Sequence, residues 1–212
     1  MIQLYDYILS AECYKVRLLC ALLGVKFQPI KVNVHPGGDH LKPEFALINP
    51  RRTIPVLQDG AHRICDTNTI LIHIARRHDP SEQWLPRDEN MFDDTLGWLG
   101  FAAKELDLLQ SLRMNSITAA GSASRTEMEQ AHAALTIVED HLAEGELERR
   151  HWLVGKSPTI ADIAVFPPTI LAPDGGVPLE RYPALWRWFD RVKKLHGFIV
   201  MPGIFPNLSG VV

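Results

Sequence analysis

The chain has 212 residues, of which 46% are hydrophobic and 22% are charged, and its formal net charge is −3 at pH 7. This length and composition suit one large or two small globular domains with a sizeable core. The weak negative charge gives no electrostatic reason to expect a nucleic acid or an anionic membrane as a partner. No apolar run reaches the roughly 18 residues of a membrane helix, and the N-terminus lacks the pattern of a signal peptide.

The cysteines and histidines also limit the function classes. Cys13, Cys20 and Cys65 form no Cys-x-x-Cys pair, and their odd number disfavours a disulfide framework. We therefore expect a reducing compartment, the cytoplasm. The nine histidines are scattered, without a His-Glu-x-x-His motif or a Cys/His cluster, so no metal site is predicted.

The first part of the chain alternates strand-like and helix-like patterns. The predicted elements are a strand over Ile2 to Tyr7, a helix over Ala11 to Leu23, a strand over Phe27 to Val34, a short helix over Leu41 to Leu47, strands over Ile54 to Gln58 and Ala61 to Ile64, and a helix over Thr67 to His78. Asp59-Gly60 between the last two strands predicts a type I′ hairpin. The order β-α-β-α-β-β-α predicts a mixed sheet with helices on its faces.

Residues 79–88 are polar, contain two prolines and show no periodicity, so they are the linker candidate. Only helical patterns follow: a long helix over Glu89 to Ile117, a second over Arg125 to Leu142, a third opened by the capping box Thr159-x-x-Asp162, and a fourth over Pro183 to Leu195. We therefore expect an α/β domain over residues 1–78, a linker over 79–88, and an all-helical domain over 89–212.

Four segments resemble the glutathione transferase family, in the right order and at the right spacing. They are LYDYILSAECYKVRLLCALLGV, which resembles the first strand, catalytic turn and first helix of the serine-type cytosolic classes; NPRRTIPVL; CDTNTILIHIA; and SPTIADIAVFP. The resemblance implies a thioredoxin-like N-terminal domain followed by a helical bundle, with glutathione as co-substrate and a homodimer as the usual assembly.

Ser10 lies between the first strand and the first helix, where unpaired backbone N–H groups and the positive end of the helix dipole favour an anion. The resemblance implies that Ser10 is the catalytic residue, whose hydroxyl donates to the glutathione thiolate. From spacing alone, Ser10 could simply be the N-cap of the helix. Tyr5 and Tyr7 are rival hydroxyl groups and Cys13 is a rival nucleophile, although packing roles are favoured for these three.

The resemblance also implies a glutathione-binding set. Ile54 would precede a cis proline, Pro55, and present its backbone N–H and C=O to the cysteinyl part of glutathione, although the sequence alone favours an ordinary trans proline at a strand start. Thr53 beside it replaces the family's usual glutamine or lysine. Asp66 and Thr67 would bind the γ-glutamyl end, although the same pair is an ordinary helix cap. Lys42 would face the glycyl carboxylate, with a solvated lysine as the alternative. Arg51-Arg52 replaces a small residue of the family pattern and adds positive charge.

The expected reaction is attack of the glutathione thiolate on a small hydrophobic electrophile. The alternatives are a glutathione-dependent isomerase or peroxidase, or a non-catalytic glutathione-binding or regulatory protein on the same fold. Candidates for the electrophile pocket are Phe101, Lys104 and Arg113. Trp98, Leu99 and Phe101 place large apolar groups too close together to face one core, which favours a homodimer; packing under the C-terminal tail, residues 198–212, is the alternative.

Overall fold

A computed structural model describes residues 1–204 of the chain. Its single four-stranded sheet has the order β2-β1-β3-β4 and contains the strands β1 (Ile2–Asp6), β2 (Phe27–Lys31), β3 (Val56–Asp59) and β4 (His62–Ile64). β1 pairs in parallel with β2 and antiparallel with β3, and β4 pairs antiparallel with β3. The mixed sheet predicted from the sequence is therefore confirmed.

Helices, with the loops between them, make up the rest of the described chain. They are α1 (Ala11–Leu22), α2 (Pro43–Ala46), α3 (Thr67–His78), α4 (Glu89–Lys104), α5 (Asp107–Ile117), α6 (Arg125–Leu147), α7 (Ile160–Ile170) and α8 (Pro183–Lys193), with 3₁₀ turns at Asp39–Leu41 and Ala172–Gly175. This arrangement confirms the fold class, an α/β thioredoxin-like part followed by an all-helical part. The last eight residues of the predicted helical domain, 205–212, lie outside the described residues.

Helix α7 is the centre of the helical part. Every one of its residues is buried, and it packs against α1 and α3 of the α/β part as well as α4, α5 and α8. The predicted capping box opens it: Thr159 accepts a hydrogen bond from the Ala161 N–H, and Asp162 accepts one from the Thr159 N–H. One continuous apolar cluster joins residues of the sheet to residues of α8, so α1 rests on a rigid support.

The predicted single helix over residues 89–117 is wrong, because the chain bends between Lys104 and Asp107 and forms α4 and α5. Leu106 at the bend is fully buried, whereas Ala103 near the end of α4 is exposed. Helix α5 packs closely on the 3₁₀ turn at Ala172–Gly175; a Cβ on Gly175 would lie 2.9 Å from the Arg113 backbone nitrogen. This tertiary contact sets the direction of α5, and local periodicity does not encode it.

Two local predictions about the sheet also need correction. Asp59 pairs with His62, so the two central residues of the hairpin are Gly60 and Ala61, and only Gly60 has a positive φ, at 60°. A type I′ turn needs positive φ at both central residues, so the predicted type I′ turn is wrong. Strand β2 ends at Lys31 instead of Val34, because its partner strand β1 ends at Asp6, which pairs with Lys31.

Candidate functional site

Ser10 is the N-cap of α1, with extended backbone angles of φ −77° and ψ 121°. Its Oγ accepts a hydrogen bond of 3.2 Å from the Cys13 N–H. Accepting this bond uses an oxygen lone pair and leaves the hydroxyl proton available to donate. The capping role that spacing alone suggested for Ser10 is therefore present. The side chain is also half-buried, so the same hydroxyl can make a second contact.

A cavity of about 130 Å³ lies directly against Ser10. Its lining comes from both parts of the chain: Tyr7, Ser10, Ala11, Val34 and Ile54 from the α/β part, and Gln110, Arg113 and Met114 from α5. The walls are mostly apolar, and the polar groups converge near the start of α1. An anion held here would face the N-terminal end of α1, where the helix dipole is positive.

The Ile54–Pro55 peptide bond is cis, and Ile54 lines the cavity that contains Ser10. The structure therefore brings Ser10 and Ile54 together. Thr53 is exposed and does not line this cavity; the buried Asn49 side chain donates to its carbonyl oxygen at 2.8 Å and to its hydroxyl oxygen at 3.0 Å. These bonds hold the loop before Pro55 in place and occupy part of the hydrogen-bonding capacity of Thr53.

Asp66 is the N-cap of α3, and its Oδ1 accepts from the N–H and the hydroxyl of Thr69, both at 2.8 Å. The Asp66 side chain is exposed and Thr67 is half-buried. One carboxylate oxygen, Oδ2, is not used by either capping bond. The start of α3 thus combines a cap with a carboxylate oxygen and backbone N–H groups that face solvent.

An ion pair between a buried lysine and a half-buried glutamate, which the sequence analysis did not predict, lies at the start of α1. Glu12 in the first turn of α1 pairs with Lys15, whose side chain is only 1% exposed, and accepts a hydrogen bond of 2.7 Å from Gln110 of α5. Burial alone would raise the pKa of the Glu12 carboxyl, but the charge of Lys15 and hydrogen bonds from Lys15, Thr67 and Gln110 hold it below its usual value. The i,i+3 spacing of Glu12 and Lys15 was the available sequence signal.

Three other expected site residues do not line the cavity. Lys42 is exposed, and its ammonium lies 2.6 Å from the Asp39 carboxylate. Phe101 packs edge-on against Trp98, with 5.3 Å between ring centroids, and Lys104 forms an exposed ion pair with Glu105. Of the three candidates for the electrophile pocket, the structure places only Arg113 at the cavity.

The rivals of Ser10 occupy different surroundings. Tyr5 packs edge-on against Phe45 at 6.1 Å, whereas the ring of Tyr7 lines the cavity and its hydroxyl donates to the His35 carbonyl at 3.3 Å. Cys13 is fully buried, and burial is the largest of the effects that raise the pKa of its thiol to about 12. Cys13 therefore has the packing role expected for it, while Tyr7 remains an alternative hydroxyl at the cavity.

The apolar residues of α4 find partners inside the chain. Leu99 is buried, and the half-buried Trp98 ring packs against Phe101 and, at 4.7 Å, against His141 of α6. Within residues 1–204, no three His, Cys, Asp or Glu side chains are grouped so that they could hold a metal ion. Among the helices of that same range, none combines the length and hydrophobicity that crossing a membrane requires.

Known protein families and relatives match this chain over nearly its whole length. Residues 4–82 match the family model of the glutathione S-transferase N-terminal domain, and residues 82–191 match that of the C-terminal domain. The chain is 26% identical to glutathione S-transferase theta-1 of Rattus norvegicus over 93% of this chain and 84% of the relative, and 24% identical to glutathione S-transferase D6 of Drosophila melanogaster over 98% and 92%.

A solved glutathione S-transferase from Pseudomonas fluorescens superposes with a TM-score of 0.84 at 28% identity, over 94% of this chain and 98% of the other. The fold, the two family models and the relatives agree. The chain therefore belongs to the glutathione S-transferase family of enzymes.

Proposed function

We propose that this chain transfers glutathione to a small hydrophobic electrophile, with Ser10 as the catalytic residue. The observation that carries the proposal is the position of the Ser10 hydroxyl, which caps α1 through its oxygen and borders the cavity at the N-terminal end of that helix. The hydroxyl proton is available to donate to a sulfur anion in the cavity. The apolar walls next to it suit an electrophile with little polar surface.

In the proposed reaction, the glutathione thiol releases its proton to solvent and the thiolate is held by the Ser10 hydroxyl and the helix N-terminus. A free thiol has a pKa near about 8.5, and each unit of depression corresponds to about 1.4 kcal/mol of preferential binding to the thiolate. The sulfur then forms a bond to the electrophilic carbon, and the leaving group departs with the electron pair of the bond that breaks. Ser10 stabilises charge and is not consumed.

The rest of the glutathione molecule would extend from Ser10 along the α/β part. Ile54, preceding the cis Pro55, offers its backbone N–H and C=O to the cysteinyl residue, with Thr53 beside it. The free Oδ2 of Asp66 suits the γ-glutamyl ammonium, and the α3 N–H groups suit the γ-glutamyl carboxylate. The Thr67 hydroxyl would have to exchange the Glu12 carboxylate for that of the ligand. Lys42 would have to exchange Asp39 for the glycyl carboxylate.

Two experiments test this function. A glutathione-affinity column followed by calorimetry tests binding, and conjugation of a generic aryl halide, followed by absorbance, tests transfer. Peroxide reduction and isomerisation assays with glutathione are run alongside. Binding with conjugation supports the proposal; binding without any turnover identifies a non-catalytic glutathione-binding protein; and no binding overturns the proposal.

We also propose a homodimer in the cytoplasm. The dimer is supported by the family resemblance; Trp98 and Phe101 on α4, whose spacing also suggested it, pack on each other and remain only half-buried in the single chain. The cytoplasm is supported by Cys13, Cys20 and Cys65, which are all unpaired thiols. Sedimentation at micromolar concentration should show a species of twice the 23.9 kDa chain mass, and a fully active single-chain species would contradict the dimer. Cell fractionation tests the compartment.

A further inference from the structure

Two buried arginines surround the turn that ends at Ser10. The first, Arg17 of α1, is 9% exposed and pairs with Asp6 at the end of β1. Its guanidinium also donates to the carbonyl oxygens of Tyr7, at 3.3 Å, and Ile8, at 3.1 Å. A guanidinium is a rigid planar fork with several donors, so it can hold neighbouring peptide groups in one orientation.

The second arginine, Arg113, comes from α5 and is 3% exposed. It donates to the carbonyl oxygen of Leu9 at 2.5 Å, to the Asp174 carboxylate at 3.0 Å and to the carbonyl oxygen of Pro202 at 3.3 Å. Its surroundings are tightly packed: a Cβ on Gly203 would lie 2.6 Å from the Asp174 carboxylate oxygen. Arg113 therefore joins the turn before Ser10 to α5, to the 3₁₀ turn at Ala172–Gly175 and to the segment after α8.

Together the two guanidinium groups bind every carbonyl of three consecutive residues, Tyr7, Ile8 and Leu9, immediately before Ser10. The Ser10 N–H also donates to the Tyr7 carbonyl at 3.0 Å, which closes the turn. Rotation of these peptides would move the Ser10 hydroxyl and could direct a carbonyl oxygen, with its partial negative charge, at a bound anion. The bonds to arginine oppose both changes.

We propose that Arg17 and Arg113 are positioning residues for the transferase reaction, acting through the turn Tyr7–Ser10. Because Arg113 comes from α5, the helical part would both line the cavity and set the position of Ser10. Nothing in this role requires either arginine to touch the substrate. The inference rests on the proposed function, because it assumes that Ser10 acts on a thiolate.

The test compares Arg113→Lys with a matched control, Arg150→Lys. Arg150 also uses its guanidinium to hold backbone carbonyls, those of His141 and Trp152, but it does not line the Ser10 cavity. Since a misplacement of about 1 Å can lower a rate by about 100-fold, we expect Arg113→Lys to lower kcat by about 10-fold to 100-fold. The KM for glutathione should change by less than about threefold, because this role involves no contact between Arg113 and glutathione. The pH midpoint of kcat/KM should rise, and the control should show none of these changes.

A second readout separates positioning from general stability. If Arg113 acts through Ser10, adding Arg113→Lys to Ser10→Ala should produce little further loss of kcat, whereas independent effects would multiply. Multiplicative losses, or a folded Arg113→Lys variant with wild-type kcat and pH profile, would overturn the inference. If Arg113→Lys does not fold, the same measurements on Asp174→Asn test the inference. This change weakens the ion pair that holds the Arg113 guanidinium but leaves the guanidinium itself in place. Wild-type protein that binds no glutathione would instead overturn the proposed function itself.

Discussion

Helices α1 and α7 both begin at an N-cap residue with a hydroxyl group, but the two starts differ in how much hydrogen-bonding capacity remains for a ligand. At α1, Ser10 is half-buried beside a cavity, and its hydroxyl proton remains available after the cap is made. At α7, Thr159 and Asp162 are buried, and the Asp162 carboxylate accepts from the N–H groups of Leu153 and Thr159 and from the Trp188 indole. The same capping chemistry therefore suits a ligand at α1 and a core at α7, and the remaining hydrogen-bonding capacity decides between them.

The largest expected effect is the loss of stability in Asp162→Ala. This change leaves three buried donors without their acceptor, and each unsatisfied donor costs about 1–3 kcal/mol, so the free energy of unfolding should fall by about 3 kcal/mol or more. Urea unfolding measures it. The control is Glu127→Ala, which opens the exposed capping box of α6 and should have a much smaller effect. Equal losses in the two variants would remove the distinction between a buried and an exposed cap.

The pH dependence of stability tests the burial of the same carboxyl. Burial is the largest influence on Asp162 and raises its pKa to about 6, from an ordinary value of 3.8. Between these two values the folded chain keeps a proton that the unfolded chain releases. The contribution of this bound proton to the free energy of unfolding is therefore complete below about pH 4 and is lost as the pH rises through about 6. The stability difference between wild type and Asp162→Asn should fall over this window by up to about 1.4 kcal/mol per pH unit. Urea unfolding at a series of pH values would show a constant difference if Asp162 titrated normally.

At the start of α1, a substitution should affect turnover more than stability. Ser10→Ala removes the donor to the developing thiolate, so turnover at neutral pH should fall by about 100-fold or more, the scale of losing one oriented donor to an anion. Glutathione affinity measured by calorimetry should change far less. The matched control is Ser124→Ala, which removes the N-cap hydroxyl of α6 away from the cavity and should leave turnover unchanged. Wild-type turnover in Ser10→Ala would transfer the role to Tyr7 or to the α1 N-terminus alone.

The start of α3 is intermediate between the other two, since its cap is complete but one carboxylate oxygen is free. Asp66→Asn keeps a capping oxygen and removes the charge, and Thr67→Val keeps the shape and removes the hydroxyl. Each should weaken glutathione binding by about 1–3 kcal/mol, because a polar group of the ligand loses its partner. Asp88→Asn at the N-cap of α4 is the control. Unchanged affinity in both variants, measured by calorimetry, would leave the α3 start as a cap only.

The sequence predicted the fold well where local chemistry decides the structure. The helix over Thr67–His78 and the order of strands and helices follow from periodicity and caps. The prediction failed where a distant contact decides it. The bend between Lys104 and Asp107 depends on α5 packing against a turn about 65 residues later in the chain, a separation that no local pattern reports.

The candidate site shows the same division. Ser10 and Ile54 follow from segments with family-like patterns, and the structure places both at one cavity. The roles of Glu12, Arg17 and Gln110 were missed, because each depends on a partner from another element: Gln110 with Glu12, and Arg17 with the carbonyls of the preceding turn. Charged residues in an amphipathic helix normally face solvent, so the sequence alone favours that interpretation.

The smallest expected effect concerns Cys13, which lies in the first turn of α1 only three residues after Ser10. A helix N-terminus lowers the pKa of a thiol, but burial outweighs it here and raises the pKa of Cys13 to about 12, so the thiol stays protonated at pH 7. Cys20 is buried with a pKa also raised to about 12, whereas Cys65 is half-buried near the surface.

A thiol reagent added to the native protein at pH 7 should therefore modify Cys65 alone, and all three cysteines after denaturation, as mass spectrometry would show. Cys13→Ala should keep wild-type turnover, because the group that faces the cavity at this helix start is Ser10. Rapid native labelling of Cys13, together with loss of turnover in Cys13→Ala, would mean that the start of α1 opens in solution and exposes its sulfur. In that case, the difference between the start of α1, which faces the cavity, and the start of α7, which is buried, would depend on local opening of α1 as well as on the remaining hydrogen-bonding capacity.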